Sequence, residues 1–96
     1  MARAEPSFTI GIEEEYLLID RETRDLCPDP PKALMERCEA ALPKRVTPEF
    51  LRCQIEVGTP VCATAVEAGD YLKTFRQTIG RLAGEYGLAP VAVSTH

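Results

Sequence analysis

The carboxylates best placed to do chemistry in this 96-residue sequence form a run of three glutamates, Glu13–Glu15. Apolar residues alternate on both sides of the run, which predicts a β-strand from Phe8 to Ile19. Strand side chains alternate between faces, so Glu13 and Glu15 would lie on one face, about 6.5–7 Å apart along the strand. Such a pair can share a hard divalent cation, which offsets the repulsion between the carboxylates. A solvated acidic face on an edge strand would give the same pattern, and the run alone leaves both interpretations open.

A second predicted strand, over residues 50–58, carries another carboxylate. Its residues of one parity are apolar, and those of the other parity include Glu56. If the two strands are neighbours, Glu56 would face the same side of the sheet as the outer glutamates of the first run. Glu49 has the opposite parity, but Pro48 allows a bend or bulge that would bring it to the same rim. Four carboxylates around one cavity require cations, and Mg²⁺ or Mn²⁺ held by oxygen ligands commonly serves the phosphate groups of ATP.

A short amphipathic helix is predicted near residues 31–42, between the two strands. Asp29 would cap its N-terminus. Pro30 and Pro31 would occupy its first turn, where a missing N–H group has no cost. The helix would pack through one apolar stripe.

A longer amphipathic helix is predicted near residues 65–86. Thr64 and Glu67 have the spacing of a capping box, and Gly87 is a suitable residue to end the helix. The polar positions between the apolar ones, Arg76 among them, are interpreted as a solvated surface.

A third strand over residues 89–95 completes the order β-α-β-α-β, which predicts a mixed α/β (α+β) fold. Residues 1–7 are interpreted as a disordered lead-in, so that residues 8–96 would form the folded part. The third strand would leave an open sheet edge, which calls for self-association or a partner that covers it.

Composition argues against several classes of partner. The net charge of −4, with the eleven basic residues dispersed, lacks the Lys/Arg patch that nucleic acid requires. No apolar run has the length of a transmembrane helix, and no signal-peptide core follows the N-terminus. We therefore expect a cytoplasmic protein with reduced thiols and no membrane partner. The spacing of the cysteine and histidine residues is not that of a zinc site. These residues are Cys27, Cys38, Cys53, Cys62 and His96.

Three motifs, in order and spacing, resemble those of the glutamate–cysteine ligases. Residues Gly11–Glu15 resemble the G-I-E-x-E motif of the family's first strand. Residues 47–50, followed by 54–61, resemble its next signature, and residues 92–96 resemble its G-T-H-P strand with Ser94 in place of the glycine. The pattern is most similar to that of the bacterial carboxylate–amine ligase branch.

The resemblance implies a curved, largely antiparallel sheet with helices on its outer face, similar to the catalytic fold of glutamine synthetase. Residues 8–96 would be the incomplete N-terminal portion of that domain. Matching motif positions make Glu13, Glu15 and Glu56 metal ligands and Glu49 a fourth. Arg52 is the one basic residue that we expect on the same face, as a weak contact for the phosphate groups.

The reaction implied by the resemblance uses ATP and Mg²⁺ (or Mn²⁺) to convert a substrate carboxylate into an acyl phosphate, which an amine attacks to form an amide. Glutamate and cysteine are the substrates of the family, and related amines stay open. We expect the 96-residue chain alone to be inactive. One alternative is a non-catalytic module that acts through its exposed sheet edge, and another is an unrelated acidic α/β domain.

Overall fold

The computed structural model of the chain describes residues 9–48 and 53–95. Within these ranges a four-stranded sheet has the strand order β2-β3-β1-β4, and every neighbouring pair is antiparallel. The predicted α+β class and antiparallel sheet are therefore confirmed. Neither helix of the described chain is long and apolar enough to cross a membrane. The elements in chain order are β1 (Glu13–Asp20), α1 (Lys32–Ala41), β2 (Val46–Pro48), β3 (Gln54–Gly58), α2 (Ala65–Gly84) and β4 (Leu88–Thr95).

Both helices cover the same face of the sheet. The alternation in β1 turns Tyr16 and Leu18 towards this face, and Ile55 and Val57 of β3 join them in one apolar core. The helices contribute residues at three- and four-residue spacing, as amphipathic helices do. They are Leu34 and Cys38 from α1, and Leu72, Phe75, Ile79, Leu82 and Ala83 from α2. No helix of the described residues covers the opposite face of the sheet.

The predicted order β-α-β-α-β is wrong at one point, because a fourth strand precedes β3. Val46 pairs with Val57 and Thr47 with Glu56, which adds β2 at one edge of the sheet. Three residues are too few to show an alternating pattern, and Pro48 is tolerated because β2 is an edge strand.

The N-terminus of α1 differs from its prediction. Pro31 is the N-cap residue, and no side chain caps the helix, so the assignment of Asp29 as the cap is wrong. Pro31 has an extended ψ of 133°, and the helix begins one residue later, at Lys32. The predicted bounds of 31–42 were otherwise close.

The start of α2 follows the sequence signal, whereas its end at Gly84 comes two residues before the predicted bound of 86. Thr64 Oγ1 accepts a hydrogen bond from the backbone N–H of Glu67 at 3.1 Å, which confirms the predicted cap. Gly87 has a φ of +73°, a conformation that costs little without a Cβ atom, and its N–H donates to the carbonyl of Gly84.

Several predictions fall on residues outside the described ranges. These are the lead-in over residues 1–7, the start of the first strand at Phe8, and residues 50–52 of the second strand. Upstream of β1, Ile10 forms an isolated bridge with Cys62, so the first strand begins at Glu13 within the described chain.

Among the residues that the structure describes, one charged side chain lies in the otherwise apolar core. Glu14 is 0% exposed, and Tyr16 donates a hydrogen bond to its Oε1 at 2.5 Å. Arg76 of α2 donates from Nε to the same oxygen at 2.9 Å and from Nη2 to Oε2. We call these three residues the Glu14 cluster. The interpretation of Arg76 as part of a solvated surface agrees with its 56% exposed side chain but is incomplete, because its guanidinium is also the cationic partner that the buried carboxylate requires.

Tyr16 makes the stability of the fold depend on pH in the alkaline range. Burial, followed by the hydrogen bond and the charge of Glu14, raises the pKa of Tyr16 well above its ordinary value of 10.0. Below a pH of about 10 the phenol is protonated in both the folded and the unfolded chain. Above that pH the phenol of the unfolded chain ionises first. We expect Tyr16 to lower the free energy of unfolding by up to about 1.4 kcal/mol per pH unit above that point.

Urea titrations of the chain and of Tyr16→Phe, at pH values from about 9 to 11.5, would measure this effect. The variant loses the hydrogen bond at every pH, so the comparison concerns the slope and not the absolute stability. If the free energy of unfolding had the same pH dependence in both proteins, the role of Tyr16 in this pH range would be contradicted.

Candidate functional site

The pairing of β1 with β3 brings the predicted acidic residues to one face. Glu15 lies directly opposite Glu56, and Glu13 lies opposite Gly58. Paired residues of antiparallel strands point to the same side, and Glu14 of the opposite parity is buried under the helices. Glu13, Glu15 and Glu56 therefore occupy the face that the described helices leave uncovered. We call these three residues the acidic face.

Within the acidic face, Glu15 and Glu56 are the closest pair by register. Residues directly opposite on neighbouring strands have Cβ atoms about 4.5–5.5 Å apart, and like charges in that position repel each other. A cation between the two carboxylates would remove this repulsion. Along β1, Glu13 is one side-chain repeat away, about 6.5–7 Å.

A complete metal centre is not formed by the described residues. Within residues 9–48 and 53–95, no three His, Cys, Asp or Glu side chains are grouped closely enough to hold an ion. Glu49, the predicted fourth ligand, and Arg52, the predicted phosphate contact, lie outside these ranges. The ligand roles of the acidic face remain predictions for this reason.

The polarity of the uncovered face changes along β1. At Glu15 the neighbouring positions are Glu56 of β3 and, one strand further, Thr47 of β2. Two residues along β1, Leu17 lies between Gln54 and Val91. An ion held at the acidic face would thus have carboxylate donors beside it, while the next positions along β1 combine apolar side chains with the amide of Gln54.

A shallow cavity of about 280 Å³ adjoins the acidic face. Its lining consists of Gly11, Ile12, Glu13, Gly58 and Thr59. The hydroxyl of Thr59 accepts a hydrogen bond from the backbone N–H of Ile12 at 3.0 Å, which joins the two segments beside the cavity. The two glycines leave the backbone accessible to a small ligand next to the Glu13 carboxylate.

A larger cavity, of about 600 Å³, lies on the helix-covered side of the sheet, between α1 and the strands. Its lining includes Leu18, Pro31, Leu34 and Ile55, which are apolar. No residue of the acidic face lines it, so we do not associate it with the chemistry.

The ladder between β1 and β4 is irregular beside the acidic face. Glu15 pairs with Ser94, but the next residue, Tyr16, pairs with Ala92, which leaves Val93 as an extra residue in β4. Such bulges are over-represented next to active sites, where they change the direction of side chains.

Sequence reasoning missed the Glu14 cluster, although both of its charged members carried a signal. Glu14 shares the parity of Ile12 and Tyr16, which places its carboxylate on the core face. Arg76 lies four residues after Leu72 and three before Ile79, beside the apolar stripe of α2. A charged residue at a core position of a strand, together with a long cationic side chain beside the apolar stripe of a helix, indicates an ion pair that neutralises the buried charge.

Most of the cysteine side chains are buried. Cys53 and Cys62 are buried, and all four cysteines, at positions 27, 38, 53 and 62, are free. Burial raises the pKa of the Cys62 thiol. None of the four belongs to the acidic face.

Comparison with known proteins extends the sequence motifs to the whole described chain. The sequence profile of glutamate–cysteine ligase family 2 matches residues 9–96. A protein of Paracoccus denitrificans is 56% identical over 92 residues, which are 96% of this chain and 24% of that protein. A protein of Rhodospirillum rubrum is 56% identical over 96 residues, with 96% of this chain and 25% of that protein covered.

More distant proteins match over the same region. A relative from Pseudomonas putida is 38% identical over 88 residues, which are 92% of this chain and 24% of the relative. All three relatives carry the provisional name glutamate–cysteine ligase 2. The chain spans about a quarter of the length of these curated relatives. The profile match and the high identities together show that the chain belongs to glutamate–cysteine ligase family 2.

Proposed function

We propose that the chain provides the metal-binding acidic face of an ATP-dependent carboxylate–amine ligase. The single observation that carries the proposal is the register of β1 and β3, which puts Glu15 opposite Glu56 with Glu13 beside them on the uncovered face. Family membership supplies the reaction class. Glutamate and cysteine, or a related amine, are the proposed substrates.

The donor set of the acidic face fits a hard divalent ion such as Mg²⁺ or Mn²⁺. Its donors are carboxylate oxygens, and none of the nitrogen or thiolate ligands of a zinc site is among them. Glu13, Glu15 and Glu56 would hold the ion together with Glu49. When bound, the ion would neutralise phosphate charge on ATP and orient the transferring group.

The residues of the chain would act mainly by position and charge. In the proposed reaction a substrate carboxylate oxygen attacks the γ-phosphorus of ATP, ADP leaves, and an amine then displaces phosphate from the acyl carbon. Arg52 would contribute positive charge towards the phosphoryl group. The uncovered face leaves the carboxylates accessible to substrate, while the helices support the sheet from behind. The sheet with helices on one side supports a relation to the catalytic fold of glutamine synthetase.

A second candidate function is association through β4. Within the described residues β4 is the edge strand next to β1, and Val91 and Val93 on it are 42% and 49% exposed. An edge strand with exposed apolar side chains can pair with another strand. A second copy of the chain, or another protein that covers the edge, would fill this role.

The metal-binding role can be tested with Mn²⁺ alone. We expect weak binding by the 96-residue chain. Glu15→Gln should lower the affinity at least about tenfold, because it removes one charged ligand of the closest pair. Glu36→Gln, an exposed change on α1 with the same loss of charge, is the matched control. A titration that follows free Mn²⁺ by electron paramagnetic resonance gives the dissociation constant of each variant. Equal affinities for the two variants would reject the acidic face as the ion site.

The catalytic role can be tested by coupled release of ADP with glutamate, cysteine and Mg²⁺. We expect no turnover from the 96-residue chain alone, since Arg52 is the only basic residue proposed for the phosphates. Turnover by this chain that disappears in Glu13→Gln/Glu56→Gln would show that the short sheet is already a sufficient catalyst.

The association role makes a separate prediction. We expect sedimentation equilibrium to show concentration-dependent association that Val93→Lys abolishes, because a lysine on an edge strand opposes pairing. Val66→Lys, at a 74% exposed position on α2, should leave the association unchanged. A chain that stays monomeric at all concentrations would remove this candidate.

A further inference from the structure

We infer that the Glu14 cluster sets the register of β1, and thereby positions the acidic face on the opposite side of the same strand. Glu14 and Arg76 are thus positioning residues that touch neither ion nor substrate. The functional part of the inference rests on the proposed metal role of the acidic face. The structural part, the register, does not.

The apolar pattern of β1 leaves more than one register open. A slip by one residue would bury Glu13 and Glu15 and expose Glu14, which the core excludes. A slip by two residues preserves the parity, however, so the hydrophobic pattern does not exclude it. In a two-residue slip, Ile12 or Tyr16 would take the place of Glu14, and both are apolar enough for the core.

The Glu14 cluster distinguishes between these same-parity registers. Arg76 donates to both carboxylate oxygens of Glu14, and a forked pair of this kind requires a fixed direction as well as proximity. The helix positions of its neighbours Phe75 and Ile79, both buried, hold Arg76 at one level of the sheet. Only the observed register presents a carboxylate at that level.

The neighbouring strands β3 and β4 do not fix the register of β1 in the same residue-specific way. The β1–β4 ladder changes register between Glu15 and Tyr16, next to Glu14. β3 is short, with five residues, and its core-facing Ile55 and Val57 carry no polar group that would select one apolar residue of β1 over another. A contact specific to one residue is therefore needed, and buried ion pairs are best attested in this register-setting role.

The consequence for the acidic face is direct. In the observed register Glu15 lies opposite Glu56. A two-residue slip would place either Glu13 or Leu17 opposite Glu56, so that the carboxylates could no longer share an ion in the same arrangement. Arg76, although 56% exposed at its side chain, thereby controls a site on the far side of the sheet.

The test is nuclear magnetic resonance of the 96-residue chain, in which cross-strand Hα contacts report the register. Glu14→Leu/Arg76→Leu replaces the ion pair by apolar side chains, a change that often preserves stability. We expect a folded protein with two or more sets of β1 resonances, and new contacts from Glu56 to Glu13 or Leu17. Arg37→Leu/Glu85→Leu, which removes the exposed ion pair between α1 and the C-cap residue of α2, is the matched control and should show one set.

A single set of resonances with the Glu15–Glu56 contact retained in the double leucine variant would overturn the inference. Should that variant fail to fold, Arg76→Lys decides, since it keeps the charge but loses the fork. A second β1 register in this variant supports the inference, and a single native register overturns it.

Binding of Mn²⁺ separates this inference from the proposed function. If the unmodified chain binds Mn²⁺, we expect folded Glu14→Leu/Arg76→Leu to bind at least about fivefold more weakly, although it retains every proposed ligand. Native affinity in that variant would overturn the positioning role. Absence of binding by the unmodified chain would reject the proposed ion site, while the resonance experiment would still decide the register.

Discussion

The constraint on which the rest of this structure depends is the buried carboxylate of Glu14. A charged group without water has to be neutralised and hydrogen-bonded, and Arg76 with Tyr16 provides both. Glu14 lies on β1, which has neighbours on both sides in the sheet, and Arg76 lies on the longer helix. One contact thus joins the central strand to the element that contributes most of the helical core.

This contact also explains how three consecutive glutamates can occupy one strand. Alternation separates them into one buried residue and two on the uncovered face, so only like charges on that face repel each other. The repulsion of Glu15 and Glu56 opposes their pairing, while the packing of Tyr16 and Leu18 beneath them favours it. The strand carries an unfavourable pattern on one side because its other side is fixed by both packing and charge, as is common at functional positions.

The sequence predicted the elements whose pattern is long enough to repeat. Alternation located β1 and β3, helical spacing located α1 and α2, and the Thr64 cap followed from local chemistry. Short or long-range features could not be found in this way. β2 has three residues and no period, and the start of α1 depended on the extended ψ of Pro31.

The shared face of Glu13, Glu15 and Glu56 was likewise predictable from parity, but the partner of Glu14 was not. Periodicity assigns a side chain to one face, whereas pairing depends on which residue of another element reaches it. Glu14 and Arg76 are 62 residues apart, and only tertiary packing brings them together. For the same reason the sequence could predict that Glu13, Glu15 and Glu56 share a side without predicting how close their carboxylates come.

The ion pair also affects the charge of that side. Because Arg76 is bound by the fork to Glu14, the two form a nearly neutral unit whose field decays faster than that of a free cation. Its positive charge is therefore largely unavailable to offset the charge of the acidic face, as the proposed ion site requires.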